Sequence, residues 1–463
     1  MLCTVGSTLA LAACGGSDST PAVQNTAPSF TSSTTASVAE NPAGPVYQAA
    51  ATDAQGDPIT YSISGGADAS AFSLSGGSLS FVTPPNYDLP GDTDGNNVYD
   101  VKLTASDGKL SATLALSITV TNDREGISVT RIATGLTEPV GITGLGNGSE
   151  LAIAVKDGTV YKVTGATGAV SQYYRFADLS GNPFPGFTLL GITRAAAFPQ
   201  TQGTYALTKQ NGTASIICID CSIRGTQAIA GSVDSETLAI GTGPDGAAYV
   251  AIGDVAGTAA QDSSSRLGKL YRVDPNRDPY AGTSITYYII TQYGQGLRMP
   301  AGIAALPNGV LAIADRGASV FDELSIANPT TGLNYGWPYF EGTKEVNAGG
   351  SALSGLVVPA LALPLGDQFR QSRGIVGGAA YTGSIPGIAN QYVFADKGGR
   401  IWSMPLSKFV IGDALNTDAL EVRDEDFKPD AGVIDQPVGM ALDANGTLYI
   451  LDGDGELFRV SAT

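Results

Sequence analysis

The chain has 463 residues, 43% of them apolar, which is enough to bury the cores of two or more domains. Its 25 basic against 43 acidic residues give a net charge of −18 without any polybasic stretch, so nucleic acid is not an expected partner. There is no histidine, which excludes a Ser-His-Asp triad, histidine-ligated zinc and any imidazole base.

The N-terminus runs Leu9-Ala10-Leu11-Ala12-Ala13 into Cys14-Gly15-Gly16. This apolar run is too short to span a bilayer as a helix. It resembles the lipobox of bacterial lipoproteins, whose cysteine becomes the lipidated first residue. The resemblance implies a signal over 1–14, export, and a lipid anchor on Cys14 in the outer membrane, periplasm or cell surface. Residues 1–10 contain no Lys or Arg, whereas such signals begin with a basic region, so the signal is expected to start upstream of Met1. Residues 15–27 are small, polar and Pro-containing, which reads as a flexible linker.

From 28 to 124 short alternating strands sit between Gly/Asp turns, for example PITYSIS, AFSLS, VYDVKLTAS and ATLALSITVTN. Six or seven such strands in this span predict a β-sandwich. Ala39-Glu40-Asn41, Asp53-Ala54-Gln55-Gly56-Asp57, Asn86-Tyr87-Asp88, Ala105-Ser106-Asp107-Gly108 and Asn122-Asp123 follow in the order of bacterial cadherin-like repeats, which the segment resembles throughout. The resemblance implies Ca²⁺ ligands at two poles: Glu40, Asp88 and Asp123 toward the next domain, Asp53 and Asp57 at the other end. The insertion Gly91-Asp92-Thr93-Asp94-Gly95-Asn96 alternates oxygen ligands but lacks the later glutamate of an EF-hand loop, and reads as a hairpin loop.

From 127 to 463 a unit recurs: an Asn/Asp-Gly turn, an apolar strand, then a second strand. It appears around KDGTVYKV, QGTYALT, PDGAAYVAIGD, PNGVLAIAD, NQYVFAD and ANGTLYILD. Six units predict a six-bladed β-propeller, with the segments at 275–295 and 340–372 as loops over one face. Within it, Cys218-Ile-Asp-Cys221 is a poor zinc site without a second pair or a histidine, leaving a local disulfide or two buried thiols.

The stretch from Leu297 to Gly342 is the most informative. It passes from Arg298-Met299-Pro300 through an apolar strand to a turn at Arg316-Gly317-Ala318, then Asp322-Glu323, then Asn334-Tyr335-Gly336-Trp337-Pro338. A turn that frees carbonyls beside paired carboxylates suits Ca²⁺, which takes roughly six to eight oxygens, while a polar loop between two strands gives the same pattern. With Leu189-Leu190-Gly191-Ile192, Gly243 to Asp254, Ala260 to Pro275 and Gly374 to Trp402, it resembles the soluble quinoprotein glucose/sorbosone dehydrogenase family over roughly 130–463. That family's members are six-bladed propellers that oxidise aldoses at C1 with pyrroloquinoline quinone (PQQ) bound through Ca²⁺.

The resemblance gives Arg298 and Lys397 to the quinone, Trp337 to its ring pocket or a blade core, the Gly317 and Ala318 carbonyls to the quinone's Ca²⁺, and Asp322 and Glu323 to a structural Ca²⁺. Two departures stand out: Arg316 puts a cation beside the metal carbonyls, and Gln436 to Met440 replaces the family's last arginines. The family's base is a histidine before the GPDG strand. Here residues 232–237 offer only Asp234 and Glu236, while Asp254 matches the carboxylate that orients the base, or caps a turn. Two functions follow: a Ca²⁺-binding quinoprotein sugar dehydrogenase-like protein that oxidises aldoses at C1 with an unusual carboxylate base or has lost that activity for want of a histidine, or a non-catalytic Ca²⁺-stabilised propeller for glycan binding, adhesion or extracellular assembly with surface partners.

Overall fold

The computed structural model describes residues 24–177, 180–182, 184–196, 202–221, 226–233, 237–275, 288–350 and 353–463. Cys14, Asp234 and Glu236 lie outside the described residues. The chain divides into two compact units, the first ending at Thr121 and the second beginning at Asn122. No helix among the described residues is long and apolar enough to cross a membrane.

In the first unit, Thr35–Ala39, Ser111–Thr121, Val98–Ser106 and Thr60–Gly65 form one sheet in that order, its first pair parallel and the rest antiparallel. Tyr47–Gln48, Ser78–Phe81 and Phe72–Ser75 form a second sheet. Strand Val98–Ser106 alternates strictly, sending Tyr99, Val101, Leu103 and Ala105 inward, as a pleated strand with one covered face must. Tyr99, Val101 and Leu103 share one apolar core with Phe72, Leu79, Leu116 and Ile118, so the two sheets enclose it between them.

Among the described residues, the second unit contains a short hairpin of Phe340–Glu341 with Lys344–Glu345 and six sheets of four or five strands, antiparallel except where Tyr288–Gln295 pairs with Leu333–Asn334. Their first strands are Pro139–Gly144, Phe187–Ala195, Leu238–Thr242, Pro300–Ala305, Ile375–Tyr381 and Pro437–Leu442. Each first strand lies beside those of the neighbouring sheets, and the sixth lies beside the first, which closes a ring. Ile127–Ala133, the unit's own beginning, pairs with Leu457–Ala462 as the outer strand of the sixth sheet. Joining the two ends of the unit in one sheet fastens the ring and leaves no long bare edge there. This is a β-propeller.

Second strands such as Ala248–Ile252, Leu311–Asp315 and Leu448–Asp452 are buried at every position, because neighbouring sheets cover both faces. That is why they read as unbroken apolar runs rather than alternating ones. The first strands surround a central channel of about 380 Å³. Crowding around it explains their glycines: a Cβ on Gly241 would lie 2.3 Å from the Ile303 carbonyl oxygen, and one on Gly302 would lie 2.6 Å from that of Val376. In the second sheet, Cys218 and Cys221 are joined by a disulfide at the end of strand Thr213–Cys218.

Candidate functional site at the mouth of the channel

The loops that lead into the first strands are fastened by aspartates at the ends of second strands. Asp315 accepts the Arg298 and Met299 amides at 2.8 and 2.6 Å. Asp396 accepts that of Arg373 at 2.8 Å, and Asp452 those of Asp435 and Gln436 at 3.1 and 3.0 Å. Each carboxylate satisfies donors that would otherwise be buried unpaired. Burial pushes the Asp315 carboxyl up to about 6 despite its two backbone bonds, and does the same to Asp452. In the third sheet Asp254 has the same duty, accepting the Ala259 and Ala260 amides at 2.6 and 2.8 Å. Its turn-capping role is thus observed.

The loop from 254 to 268 is also held from within. Lys269, fully buried, donates to the Ala259, Ala260 and Leu267 carbonyls at 2.7–3.0 Å, and burial lowers its pKa. Gln261 exchanges a reciprocal pair of 2.9 Å amide bonds with Asn334 and donates to the Trp337 carbonyl at 2.8 Å. Trp337 returns the contact through its indole N–H, 2.7 Å from the Asp254 carbonyl. Trp337 therefore braces two loops.

Arg298 lies with its guanidinium carbon 5.4 Å from the Trp337 ring centroid, a cation–π contact. Its Nη1 donates to the Arg316 carbonyl at 3.0 Å and to the Gly317 carbonyl at 2.5 Å. Arg316 in turn donates Nε to the Ile375 carbonyl at 2.9 Å. The alkyl chains of Arg316 and Lys397 both lie against Gly374, 3.5 and 3.7 Å from where its Cβ would be. Arg298, Arg316 and Lys397 thus converge where the strands Pro300–Ala305 and Ile375–Tyr381 enter the channel wall.

The carboxylates expected to ligate metal are bound otherwise. Asp322 accepts the Gly317 amide at 3.0 Å, the Ser372 hydroxyl at 2.5 Å and the Ile375 amide at 2.8 Å. Glu323 accepts the Gly342 amide, and burial, reinforced by Asp315, raises its pKa well above the ordinary range. The turn's amides go to Glu341, a residue the sequence reading passed over. Its oxygens accept Ala318, Ser319, Val320 and Phe321 at 3.0, 3.1, 2.7 and 3.4 Å. The signal for it was slight: an acidic residue before Gly342, just beyond Trp337-Pro338. A cavity of about 10 Å³, one water in size, lies between Glu323, Tyr335 and Glu341, and both Arg298 and Arg316 line it.

The expected calcium seat lies at Gly317 and Ala318. The Gly317 carbonyl already holds a guanidinium, Ala318 is exposed, and two arginines wall the cavity beside Glu323. A divalent cation does not fit among them.

The residues matched to the cadherin-like repeat also make internal bonds. Glu40 is buried and accepts the Tyr87 amide at 2.8 Å, and Asp88 is buried with its own amide on the Asn86 side chain. Asp53 closes a turn by accepting the Gln55 and Asp57 amides, while Asp57 pairs with Lys109 at 3.2 Å. Asp123, in the second unit, caps a short turn through the Glu125 amide at 2.8 Å.

A ring of sheets around a glycine-lined channel, with cations at its mouth, is thus the arrangement of this β-propeller. The glucose/sorbosone dehydrogenase family model matches residues 227–392, a span that contains Asp254, Arg298, Gly317, Asp322, Glu323 and Trp337. No curated protein matches the chain. Among solved structures, the PQQ-bound form of aldose sugar dehydrogenase from Streptomyces coelicolor is 20% identical, with 73% of this chain and 98% of that one aligned at a TM-score of 0.50. Two glucose dehydrogenase structures are 21% and 22% identical, each aligned with 73% of this chain, over 99% and 100% of their own lengths, at a TM-score of 0.51. At these identities the likeness speaks for the fold.

Proposed function

We propose that this chain is an exported, lipid-anchored protein with a cadherin-like sandwich and a six-bladed propeller of the quinoprotein sugar dehydrogenase type. In this reading C1 oxidation of aldoses is lost and the channel mouth binds sugar or glycan. The observation that carries the loss is the absence of histidine from all 463 residues. Asp254, the carboxylate matched to the base's orienting partner, is committed to the Ala259 and Ala260 amides. The match to the family model and the shared fold support the propeller's origin.

The convergence of Arg298, Arg316 and Lys397 suits an anionic ligand, and PQQ, a tricarboxylate, fits that charge. When bound, that cofactor accepts hydride from a sugar. This chain contributes the anchoring cations and a walled mouth, but no imidazole to take the C1 hydroxyl proton. Ca²⁺ belongs in this reading to the N-terminal unit, around Glu40, Asp88, Asp53 and Asp57.

The test is reconstitution of the purified protein with PQQ and Ca²⁺, following quinone absorbance by equilibrium dialysis and dye reduction with a panel of aldoses. Quinone binding without sugar-dependent reduction is the expected result. Sugar-dependent reduction refutes the loss of activity, and the search for its base then moves to Asp234 and Glu236.

A further inference from the structure

We infer that the Arg298 guanidinium is the resident cation of the 316–318 turn, standing where the family resemblance sets a calcium ion, so that the turn is held without a metal. The inference deepens the proposed function by assigning how the channel mouth is built. It rests on that reading only for the identity of this face.

Its basis is that the protein itself takes up the Arg316 and Gly317 carbonyls and the amides of residues 317–321. The two carbonyls that open toward the mouth, from Arg316 and Gly317, both accept from one Arg298 nitrogen. Stacking on Trp337 fixes the guanidinium from one side, and the Asp315 bonds to the Arg298 and Met299 amides fix its backbone. The turn's amides are spent on Asp322 and Glu341, whose oxygens already accept three and four protein donors. A guanidinium forks across two carbonyls much as a hard cation bridges them, but it is part of the chain and cannot be removed by chelation. The second arginine, Arg316, is fixed on the Ile375 carbonyl beside it. An anionic ligand at this mouth thus meets arginine directly, not through a metal bridge.

Trp337 supplies a local reporter, since the chain has 2 tryptophans and the other, Trp402, is fully buried in another core cluster. Terbium(III), a luminescent stand-in for Ca²⁺, is titrated into the full-length protein with excitation of tryptophan. Each titration is repeated with Trp337→Phe, and the difference isolates ions close to this side chain from ions bound elsewhere.

The wild-type protein is expected to show no Trp337-dependent terbium emission. Arg298→Met, which frees both carbonyls, is expected to gain it by at least about tenfold as a hard cation takes the vacated oxygens. Arg298→Lys keeps a charge there and is expected to stay dark. Trp337-dependent emission from the wild type overturns the inference, whether or not the variants fold. So does a dark Arg298→Met protein that keeps the wild-type near-ultraviolet circular dichroism. None of these readouts involves quinone or sugar, so loss of the proposed function leaves them unaffected.

Discussion

Replacing Glu341 tests whether the 317–321 turn is organised around a buried carboxylate. The side chain is 2% exposed and accepts four consecutive backbone amides. In Glu341→Ala the Ala318 and Ser319 amides, on exposed residues, turn to water, whereas those of Val320 and Phe321 are half-buried. Two stranded donors cost roughly 1–3 kcal/mol each, and a charge-assisted bond contributes more than a neutral one. Removing a carboxylate beside Glu323 returns part of this by relieving repulsion. The net expectation is a loss of roughly 2–5 kcal/mol for Glu341→Ala and about half that for Glu341→Gln, which keeps one acceptor oxygen. Urea unfolding followed by tryptophan fluorescence is the assay, because both tryptophans lie in the second unit and the signal reports on it alone. A Glu341→Ala protein within about 1 kcal/mol of wild type, at unchanged m, refutes the reasoning.

Further outcomes follow from the same contacts. Gly302→Ala drives a Cβ to 2.6 Å from the Val376 carbonyl oxygen and is expected to cost about 1–3 kcal/mol, whereas Gly439→Ala meets nothing closer than 3.5 Å and is expected to be neutral or slightly stabilising; equal urea midpoints for the two count against the crowded channel. Reducing the Cys218–Cys221 bond, or Cys218→Ser with Cys221→Ser, closes or opens only a short loop and is expected to shift stability by about 2 kcal/mol, read by urea unfolding with and without reductant. Asp315 and Asp452 have folded pKa values near 6 against 3.8, so each contributes stability that is complete below 3.8 and lost as pH rises through about 6. The melting temperature is expected to rise on acidification across that window, less so in Asp452→Asn; a fall, or an identical rise in the variant, contradicts the assignment.

Much of the second unit was legible because its second and third strands are apolar runs after Asn/Asp-Gly turns, a local pattern that repeats. The first strands were not recognised as a repeat. Their shared feature is a glycine within a short apolar segment, as in Pro139-Val140-Gly141, Pro300-Ala301-Gly302 and Pro437-Val438-Gly439. At Gly302 and Gly141 that glycine is dictated by close contact with the next sheet around the ring, which no local period reveals. The alternating strands of the first unit were readable for the opposite reason, since one of their faces is covered and the other is not. Asp254 was readable as a turn cap, but the duty of Lys269 was not, because a buried lysine on backbone carbonyls leaves no mark that separates it from a surface one.

The motifs that carry the family resemblance turn out to hold one another. Gln261 and Lys269 belong to the segment from Ala260 to Pro275, and Asn334 and Trp337 belong to the Asn-Tyr-Gly-Trp-Pro segment; Gln261 joins the first segment to the second and Trp337 returns to Asp254. Selection for this clamp needs no catalysis, since without it the long loop from 254 to 268 would leave its amides and carbonyls unpaired. A propeller can therefore keep these motifs after its chemistry has gone. The same logic separates the two kinds of residue at the mouth: clamp residues persist for as long as the fold does, whereas a base or a metal seat persists only while the reaction is under selection. In the proposed reading, the histidine-free composition is a departure of the second kind, on a scaffold of the first.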